Sequence, residues 1–202
     1  MPARSMSGTV PQWNHLFELA QGQAGYFTTR DAAAHHIGTA LLTHHARTGR
    51  LQHSGRGVFR FAQYPPSARE ELVPLWLWSD RQGIFSHETA LSLLGLSDLA
   101  PTHVDLTVPR AWNKRRLKVP EGLMLHFEDI GQAEQTTWGV VPCTNLVRTL
   151  NDCADAGVEE QFLAQALREA TRRGQLIASD RERLRPALRR WLPRARRKEG
   201  SR

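Results

Sequence analysis

The stretch "TALLTHHARTGRLQHSGRGVFRF", residues 39–61, decides the fold of the N-terminal part of this 202-residue chain. Its first half has a helical period, because Leu42, His45 and Ala46 fall at i, i+3 and i+4. Thr39 precedes this stripe and is predicted to cap the helix. We therefore expect a short helix with one inward and one outward face.

The second half of the stretch changes from a helical to an alternating pattern. Alternation predicts two short strands at 51–53 and 58–61, joined by the glycine-bearing turn "SGRG". Arg56 lies at the tip of this turn. A helix followed by a hairpin with a basic tip is therefore predicted.

Two more short helices are predicted upstream. The first has Pro11 in its first turn and Gly22 as its end. The second has Thr28 as N-cap with Asp31 three residues later, and it closes at Gly38. Helix, helix, tight turn, helix and basic hairpin is the element order of a winged helix-turn-helix.

The predicted fold class is α+β, with an N-terminal winged helix-turn-helix followed by a mixed α/β C-terminal domain. The Pro-rich "YPPS" at 64–67 is predicted to link the two. The expected organisation is a flexible N-terminus at 1–10, the winged helix at 11–64, the mixed domain at 65–178, and a basic helix and tail at 179–202.

Within the mixed domain, helices and strands alternate without a fixed βαβ order. "TTWGVVPC" is predicted as one strand. A later helix is expected to bury the stripe Val158, Phe162, Ala166 and Ala170. The last helix is expected to start with a capping box, Ser179 and Glu182, and to bury one face lined by Leu184, Leu188 and Trp191.

Charge is distributed unevenly along the chain. The formal charge of +7 divides into +4 for residues 1–64, −6 for 65–171 and +9 for 172–202. Basic segments attract phosphate regardless of sequence. Double-stranded DNA is therefore the leading partner for the ends, with a solvated arginine-rich surface as the alternative for the tail.

The composition argues against a membrane or secreted protein. No apolar run reaches the roughly 18 to 20 residues of a membrane span, and the N-terminal segment lacks the apolar core of a signal peptide. The two cysteines, Cys143 and Cys153, are too few for a disulfide framework and are expected to be buried. We expect a cytoplasmic protein without membrane contact.

Nine histidines raise the question of a metal site. The pairs at 35–36 and 44–45 occupy adjacent helical positions, which point about 100° apart and do not chelate one ion. His87 with Glu88, and His103 with Asp105, are single couplets. We expect no metal and no other cofactor.

A nuclease is the enzyme class most compatible with the basic ends. It requires carboxylates that hold divalent ions and a lysine near the transferred phosphate. Asp105, Glu128 and Asp129 lie on or beside predicted strands, but no acid-x-Lys arrangement follows them. We expect no enzyme, and the nuclease is retained as the weakest alternative.

The winged-helix prediction divides the opening stretch into inner and outer positions. With Leu42, His45 and Ala46 inside, Thr43, His44 and Arg47 face outward. The predicted DNA-binding residues are Arg30, Thr39, Thr43, His44, Arg47, His53, Arg56 and Arg60.

The sequence from "GYFTTRDAAAHHIG" to "RGVFRFAQYP" resembles the N-terminal domain of the AbiEi family, antitoxins of type IV toxin-antitoxin systems linked to abortive phage infection. The residues that carry the resemblance are Phe27, Thr28, Ala32, Gly38, Gly49, Leu51, Arg56, Gly57, Val58, Phe59 and Arg60. Phe59 stands where tyrosine is commoner in the family. "FSHETALSLLGLSDLAPTHVDLTVPR" and "GVVPCTNLVRTLNDCA" resemble the segments that follow, so the likeness spans roughly residues 11 to 170.

The resemblance implies two activities. The N-terminal domain is expected to repress its own operon by binding inverted repeats in the promoter, and the C-terminal domain to counteract a cognate nucleotidyltransferase-like toxin, with or without direct contact. The alternative is a stand-alone winged-helix regulator whose C-terminal domain senses a ligand or partner.

Overall fold

The computed structural model describes residues 9–177 and 179–190. Helices and sheets are mixed, which confirms the predicted α+β class. The chain divides into two compact units, one of residues 1–83 with 139–141 and one of residues 84–138 with 142–202. The N-terminal segment 1–10 lies almost wholly outside the described residues, as do Trp191 and the rest of the predicted tail. Across the described part of the chain, every helix is too short or too polar to span a membrane.

The first unit follows the predicted element order with one added strand. Its elements are α1 (Thr9–Gln21), β1 (Tyr26–Thr28), α2 (Thr29–Ala34), α3 (Thr39–Arg47), β2 (Leu51–His53), β3 (Val58–Phe61) and α4 (Leu72–Trp78).

The start of α2 confirms the predicted cap. Thr28 Oγ1 accepts a hydrogen bond from the backbone N–H of Asp31, and the Asp31 carboxylate accepts one from the backbone N–H of Thr28, over 3.1 and 2.8 Å. The two bonds satisfy backbone donors that a helix start leaves unpaired. α3 differs from the prediction: Gly38 is its N-cap, and Thr39 is the first helical residue rather than the cap.

The turn between α2 and α3 is fixed by a left-handed residue. His36 has φ of 59°, so the N–H of Ile37 reaches back to the carbonyl oxygen of Ala32 over 2.8 Å. The Ile37 side chain is thereby buried in the core. This tight turn sets the angle at which α3 leaves α2.

The three strands form one antiparallel sheet in the order β1-β3-β2. Leu51 pairs with Phe61 and His53 with Phe59, so the hairpin has the predicted bounds. β1 was not predicted; Phe27 pairs with Phe59 across the centre of the sheet. The core between the sheet and the helices consists of Leu16, Ala20, Phe27, Ala32, Ile37, Leu42, Leu51, Phe59 and Phe61.

The first unit extends past the expected boundary at residue 64 to residue 83. The reason is α4, whose Leu72, Val73 and Leu77 are buried and whose backbone packs on β1 and β3. "YPPS" is thus an irregular connection inside this unit rather than a link between domains.

The second unit contains a five-stranded mixed sheet in the order β6-β5-β4-β8-β7. β4 is antiparallel to β5 and parallel to β8, and β5 is parallel to β6. Its elements are β4 (Ile84–Phe85), α5 (His87–Leu94), β5 (Val104–Val108), β6 (Leu123–Phe127), β7 (Gln135–Trp138), β8 (Val141–Thr144), α6 (Leu146–Asp155), α7 (Glu160–Arg172), α8 (Asp180–Arg183) and α9 (Pro186–Arg189).

Two expectations for this part of the chain were wrong in detail. "TTWGVVPC" forms two strands, β7 and β8, because Gly139 has φ of 56° and interrupts the extended chain. α7 buries Leu163 and Leu167 together with the predicted Ala166 and Ala170, while Phe162 is only half-buried.

The expected last helix is broken into α8 and α9. Pro186 begins α9 and lacks the N–H that a continuous helix requires. The Ser179 side chain forms no capping hydrogen bond. Leu184 and Leu188 are buried as predicted, in the core cluster that also holds Cys153 and residues of α5, α6 and α7.

Candidate DNA interface

The outward face of α3 carries the predicted recognition residues. Thr43, His44 and Arg47 are exposed, while Leu42 on the opposite face is completely buried. Burial of Leu42 anchors the helix on the core, so its polar face is held toward solvent. Thr39 is exposed at the N-terminal end of the same helix, where backbone contacts to DNA are usual.

Two side chains of α3 are oriented by local contacts. Thr43 Oγ1 donates to the carbonyl oxygen of Thr39 over 3.0 Å, so its oxygen remains free to accept a hydrogen bond from outside. His45 is half-buried and packs edge-on against Trp13, with ring centroids 4.8 Å apart. Burial, with Arg50 and His44 nearby, lowers the pKa of His45. His45 is therefore a packing residue, as predicted.

The wing is the turn between β2 and β3. It is closed by the Ser54 N–H donating to the Val58 carbonyl oxygen over 3.0 Å, and Arg56 is exposed at its tip. Gly57 has φ of 72°, a conformation that glycine adopts without strain. Its carbonyl oxygen accepts from the N–H of Thr29 at the start of α2 over 2.8 Å. The wing is thus fixed to the helix-turn-helix.

The arginines of the first unit divide into paired and unpaired groups. Arg60 pairs with Glu70, Arg81 with Asp31, and Arg30 with Asp80. The pair of Arg30 is the weakest, because its side chain is 78% exposed and that of Asp80 is 49% exposed. Arg30 therefore remains a candidate for phosphate contact.

Three arginines of the first unit have no acidic partner among residues 9–177 and 179–190: Arg47, Arg50 and Arg56. All three are exposed, and they lie on α3, just after α3 and on the wing. Unpaired exposed guanidinium groups bind phosphate oxygens or the guanine edge in the major groove. Asp31, Glu70 and Asp80 are thus paired with other arginines, and the arginines that remain unpaired lie on α3, just after α3 and on the wing.

The prediction that Arg60 binds DNA was wrong. Its side chain is only 5% exposed and donates to Glu70 and to the carbonyl oxygen of Pro65, both over 3.0 Å. Its guanidinium also lies over the ring of Tyr26, 5.5 Å from the centroid. The alternating pattern of the strand could not reveal this, because both faces of β3 are covered.

His53 and Arg50 complete the surface. His53 is exposed at the end of β2 and packs edge-on against Phe59, with centroids 5.1 Å apart. Arg50 was not predicted as a site residue. Its position directly after Gly49, where α3 has ended, was the only available signal in the sequence.

An open groove of about 800 Å³ adjoins the unpaired Arg50. Trp13, His45, Leu51 and Phe61 give it an apolar floor. It lies against the inward side of α3, since His45 and not His44 lines it. The groove is therefore distinct from the polar face that carries Thr43 and Arg47.

These features define the class of this unit as a winged helix-turn-helix with exposed basic residues on α3 and the wing. Residues 14–62 match the AbiEi_4 family, described as "Transcriptional regulator, AbiEi antitoxin". The resemblance to AbiEi antitoxins is confirmed for this segment, which contains α2, α3 and the wing.

The chain is similar to the crystal structure of the RV2827C protein from Mycobacterium tuberculosis, with 14% sequence identity and a TM-score of 0.43, over 96% of this chain and 84% of the other. No curated protein matches the chain.

Proposed function

We propose that the protein is the antitoxin of a type IV toxin-antitoxin pair, acting in the cytoplasm and without catalysis. It represses its own operon by binding inverted repeats in the promoter, and it counteracts a nucleotidyltransferase-like toxin. The family match over residues 14–62 supports a regulator or antitoxin. The type of toxin, the binding of the promoter and the cytoplasmic location are our inference.

The main support for the proposed DNA binding is the distribution of arginines that lack an acidic partner. Arg47 on α3 and Arg56 on the wing are exposed and lack acidic partners within the described chain. In a winged helix the second helix of the motif enters the major groove, so Arg47 reaches base edges or phosphate. Arg56 reaches a neighbouring phosphate or the minor groove. An inverted repeat presents two such sites, one for each copy of the protein.

A promoter–reporter fusion tests repression. The DNA upstream of the gene is placed before a reporter, and the protein is supplied from a second plasmid. We expect reporter expression to fall with the wild-type protein and to recover with Arg47→Ala. Equal expression with and without the wild-type protein contradicts the repressor half.

The proposed neutralisation of a toxin rests on the resemblance of "FSHETALSLLGLSDLAPTHVDLTVPR" and "GVVPCTNLVRTLNDCA" to the segments that follow the winged helix in AbiEi antitoxins. Co-expression with the neighbouring gene tests it. We expect the neighbour to arrest growth when expressed alone and this chain to restore growth. A neighbour that is harmless alone contradicts this half and leaves the repressor half standing.

The alternative is a stand-alone regulator, and it is favoured by the restriction of the family match to the winged-helix segment. It predicts repression of a reporter without any toxic neighbour. The flanking gene separates the two: a nucleotidyltransferase-like reading frame favours the antitoxin.

A further inference from the structure

Three side chains from three elements of the second unit meet at one polar site. They are His87 at the start of α5, Asp105 on β5 and His126 on β6. One ligating atom from each lies within 4.8 Å of the other two. The sequence separates these residues by about twenty positions each, so their convergence is a property of the fold.

The sheet register explains why they meet. Thr107 pairs with His126 in the parallel ladder of β5 and β6, and Asp105 lies two residues before Thr107. Side chains two apart in a strand share one face, so Asp105, Thr107 and His126 project to the same side. α5 starts over this face, since the Asp105 N–H donates to Thr89 Oγ1 over 2.7 Å.

Asp105 is the centre of the cluster. Its side chain is 3% exposed, and its Oδ1 lies 2.9 Å from His126 Nε2 and 3.1 Å from His103 Nε2. Its other oxygen faces the N–H of Thr89 at 3.4 Å. A buried carboxylate is costly unless it is held by hydrogen bonds or cations, and here imidazoles surround it.

His87 is held in place by two independent features. Its φ is 49°, a left-handed conformation that is strained for a non-glycine residue and is typical of functional positions. Its Nδ1 lies 2.9 Å from Ser86 Oγ, which in turn lies 2.7 Å from Thr107 Oγ1. With the proton on Nδ1, the lone pair of Nε2 is free, as in histidines that bind metals.

The rings of His87 and His126 are stacked, with centroids 3.7 Å apart and planes at 15°. An imidazole lone pair lies in the plane of its ring, so two stacked rings with nearly parallel planes do not point at one common ion. Convergence on one ion therefore requires the His126 ring to tilt, and its 29% exposure leaves room for that motion.

We propose that His87, Asp105 and His126 bind one divalent transition-metal ion of the Zn²⁺ class. Two imidazoles and a carboxylate are a ligand set typical of such ions, whereas Mg²⁺ and Ca²⁺ prefer oxygen ligands. His103 Nε2 lies against the same oxygen, Oδ1, and helps to orient Asp105. The fourth coordination position is left for water or for a group of a partner. This proposal reverses the expectation from the sequence that the chain binds no metal, and it is independent of the proposed DNA-binding function.

The test uses the full chain without an affinity tag, depleted of metal with a chelator and titrated with Zn²⁺ and with Co²⁺. We expect one ion per chain by calorimetry and a visible Co²⁺ spectrum of four-coordinate type. His126→Ala and His87→Ala should each weaken affinity at least about tenfold. Asp105→Asn should weaken affinity by a similar factor. Asp105 also contacts α5, so if this variant does not fold, the two histidine variants decide the test.

The control removes another pair of neighbouring histidine rings. His15 and His35 lie 6.1 Å apart in the first unit. The double variant His15→Gln/His35→Gln should retain one ion with unchanged affinity. No stoichiometric binding by the wild type, or equal binding by folded His126→Ala and His87→Ala, overturns the proposal.

Discussion

Thr29 donates its backbone N–H to the carbonyl oxygen of Gly57 over 2.8 Å, which ties the start of α2 to the wing. Each residue directly precedes or follows a candidate DNA-contacting arginine: Arg30 comes after Thr29, and Arg56 before Gly57. One backbone hydrogen bond therefore sets the distance between two cations of the proposed interface.

Gly57→Ala should break this link. The position has φ of 72°, and an added Cβ would lie 3.2 Å from Thr29 Oγ1. We expect a loss of roughly 1–2 kcal/mol in the free energy of unfolding, because L-residues are strained in this conformation. Urea denaturation measures the loss, and promoter DNA affinity should fall with it.

Gly22→Ala is the matched control for Gly57→Ala. Gly22 is exposed, and its Cβ would make only an ordinary 3.5 Å contact with the Leu19 carbonyl oxygen. Its stability should change by no more than about 0.5 kcal/mol. Equal effects at both glycines would argue against a special role for the wing conformation.

Arg47→Ala and Arg56→Ala should weaken DNA binding in different ways. Arg47 lies on the outward face of α3, so its loss should cost about 1–3 kcal/mol for promoter DNA and less for scrambled DNA. Arg56 lies on the wing, so its loss should weaken both complexes alike and reduce the slope of log K against log salt by about 1. Fluorescence anisotropy at several salt concentrations measures both effects.

Arg116→Ala serves as the control for these arginine variants, because Arg116 is exposed in the second unit. Its affinity for both DNAs should equal that of the wild type. A loss as large as that of Arg47→Ala would show that total charge, and not the α3 surface, determines binding.

Arg60→Met should destabilise the fold without removing a DNA contact. Removal of the guanidinium leaves Glu70 without its ion-pair partner and Pro65 without a donor. Because Glu70 is 28% exposed and partly screened, we expect a loss of about 2–3 kcal/mol, below that of a fully buried pair. Chemical denaturation measures the loss, with the exposed Arg50→Met as control. Unchanged stability would show that the contacts of the Arg60 guanidinium do not stabilise the fold.

The free energy of unfolding should fall in acid partly because of His45. Its pKa is lowered in the folded state by burial and by Arg50 and His44, and its buried Nδ1 has no hydrogen-bond partner. The unfolded chain therefore binds a proton more readily, so this contribution is present above the unfolded pKa of about 6.5 and is lost as the pH falls below it.

Denaturation of wild type and His45→Leu at pH 8 and pH 5.5 measures that contribution. The stability difference between the two pH values should be smaller in the variant. His53→Leu is the control, since His53 is exposed. An identical pH dependence in wild type and His45→Leu would contradict the assignment.

The sequence predicted those elements whose formation depends on neighbouring residues, such as helix caps and tight turns. Thr28 and Asp31 revealed the cap of α2, and the glycines of "SGRG" revealed the wing with its correct bounds. β1 was missed because its partner β3 lies about thirty residues later, and three residues carry too little periodicity to be read alone.

The residues of the candidate sites were likewise predicted where they depend on local sequence, and they were missed where they depend on residues far away in the chain. The exposed face of α3 follows from helical period, so Thr43, His44 and Arg47 were placed correctly on it. The burial of Arg60 depends on Glu70 in a later loop, and the convergence of His87 and His126 depends on the order of strands. Neither relationship has a signature in the spacing of the residues along the chain.

In the proposed function, α3 and the wing bind the promoter of the gene itself. An anisotropy titration at physiological salt tests it, with a labelled duplex from the region upstream of the gene and a scrambled duplex of the same composition. We predict that the promoter duplex binds at least about 10³-fold more tightly than the scrambled one. Equal affinity for the two duplexes would contradict the claim.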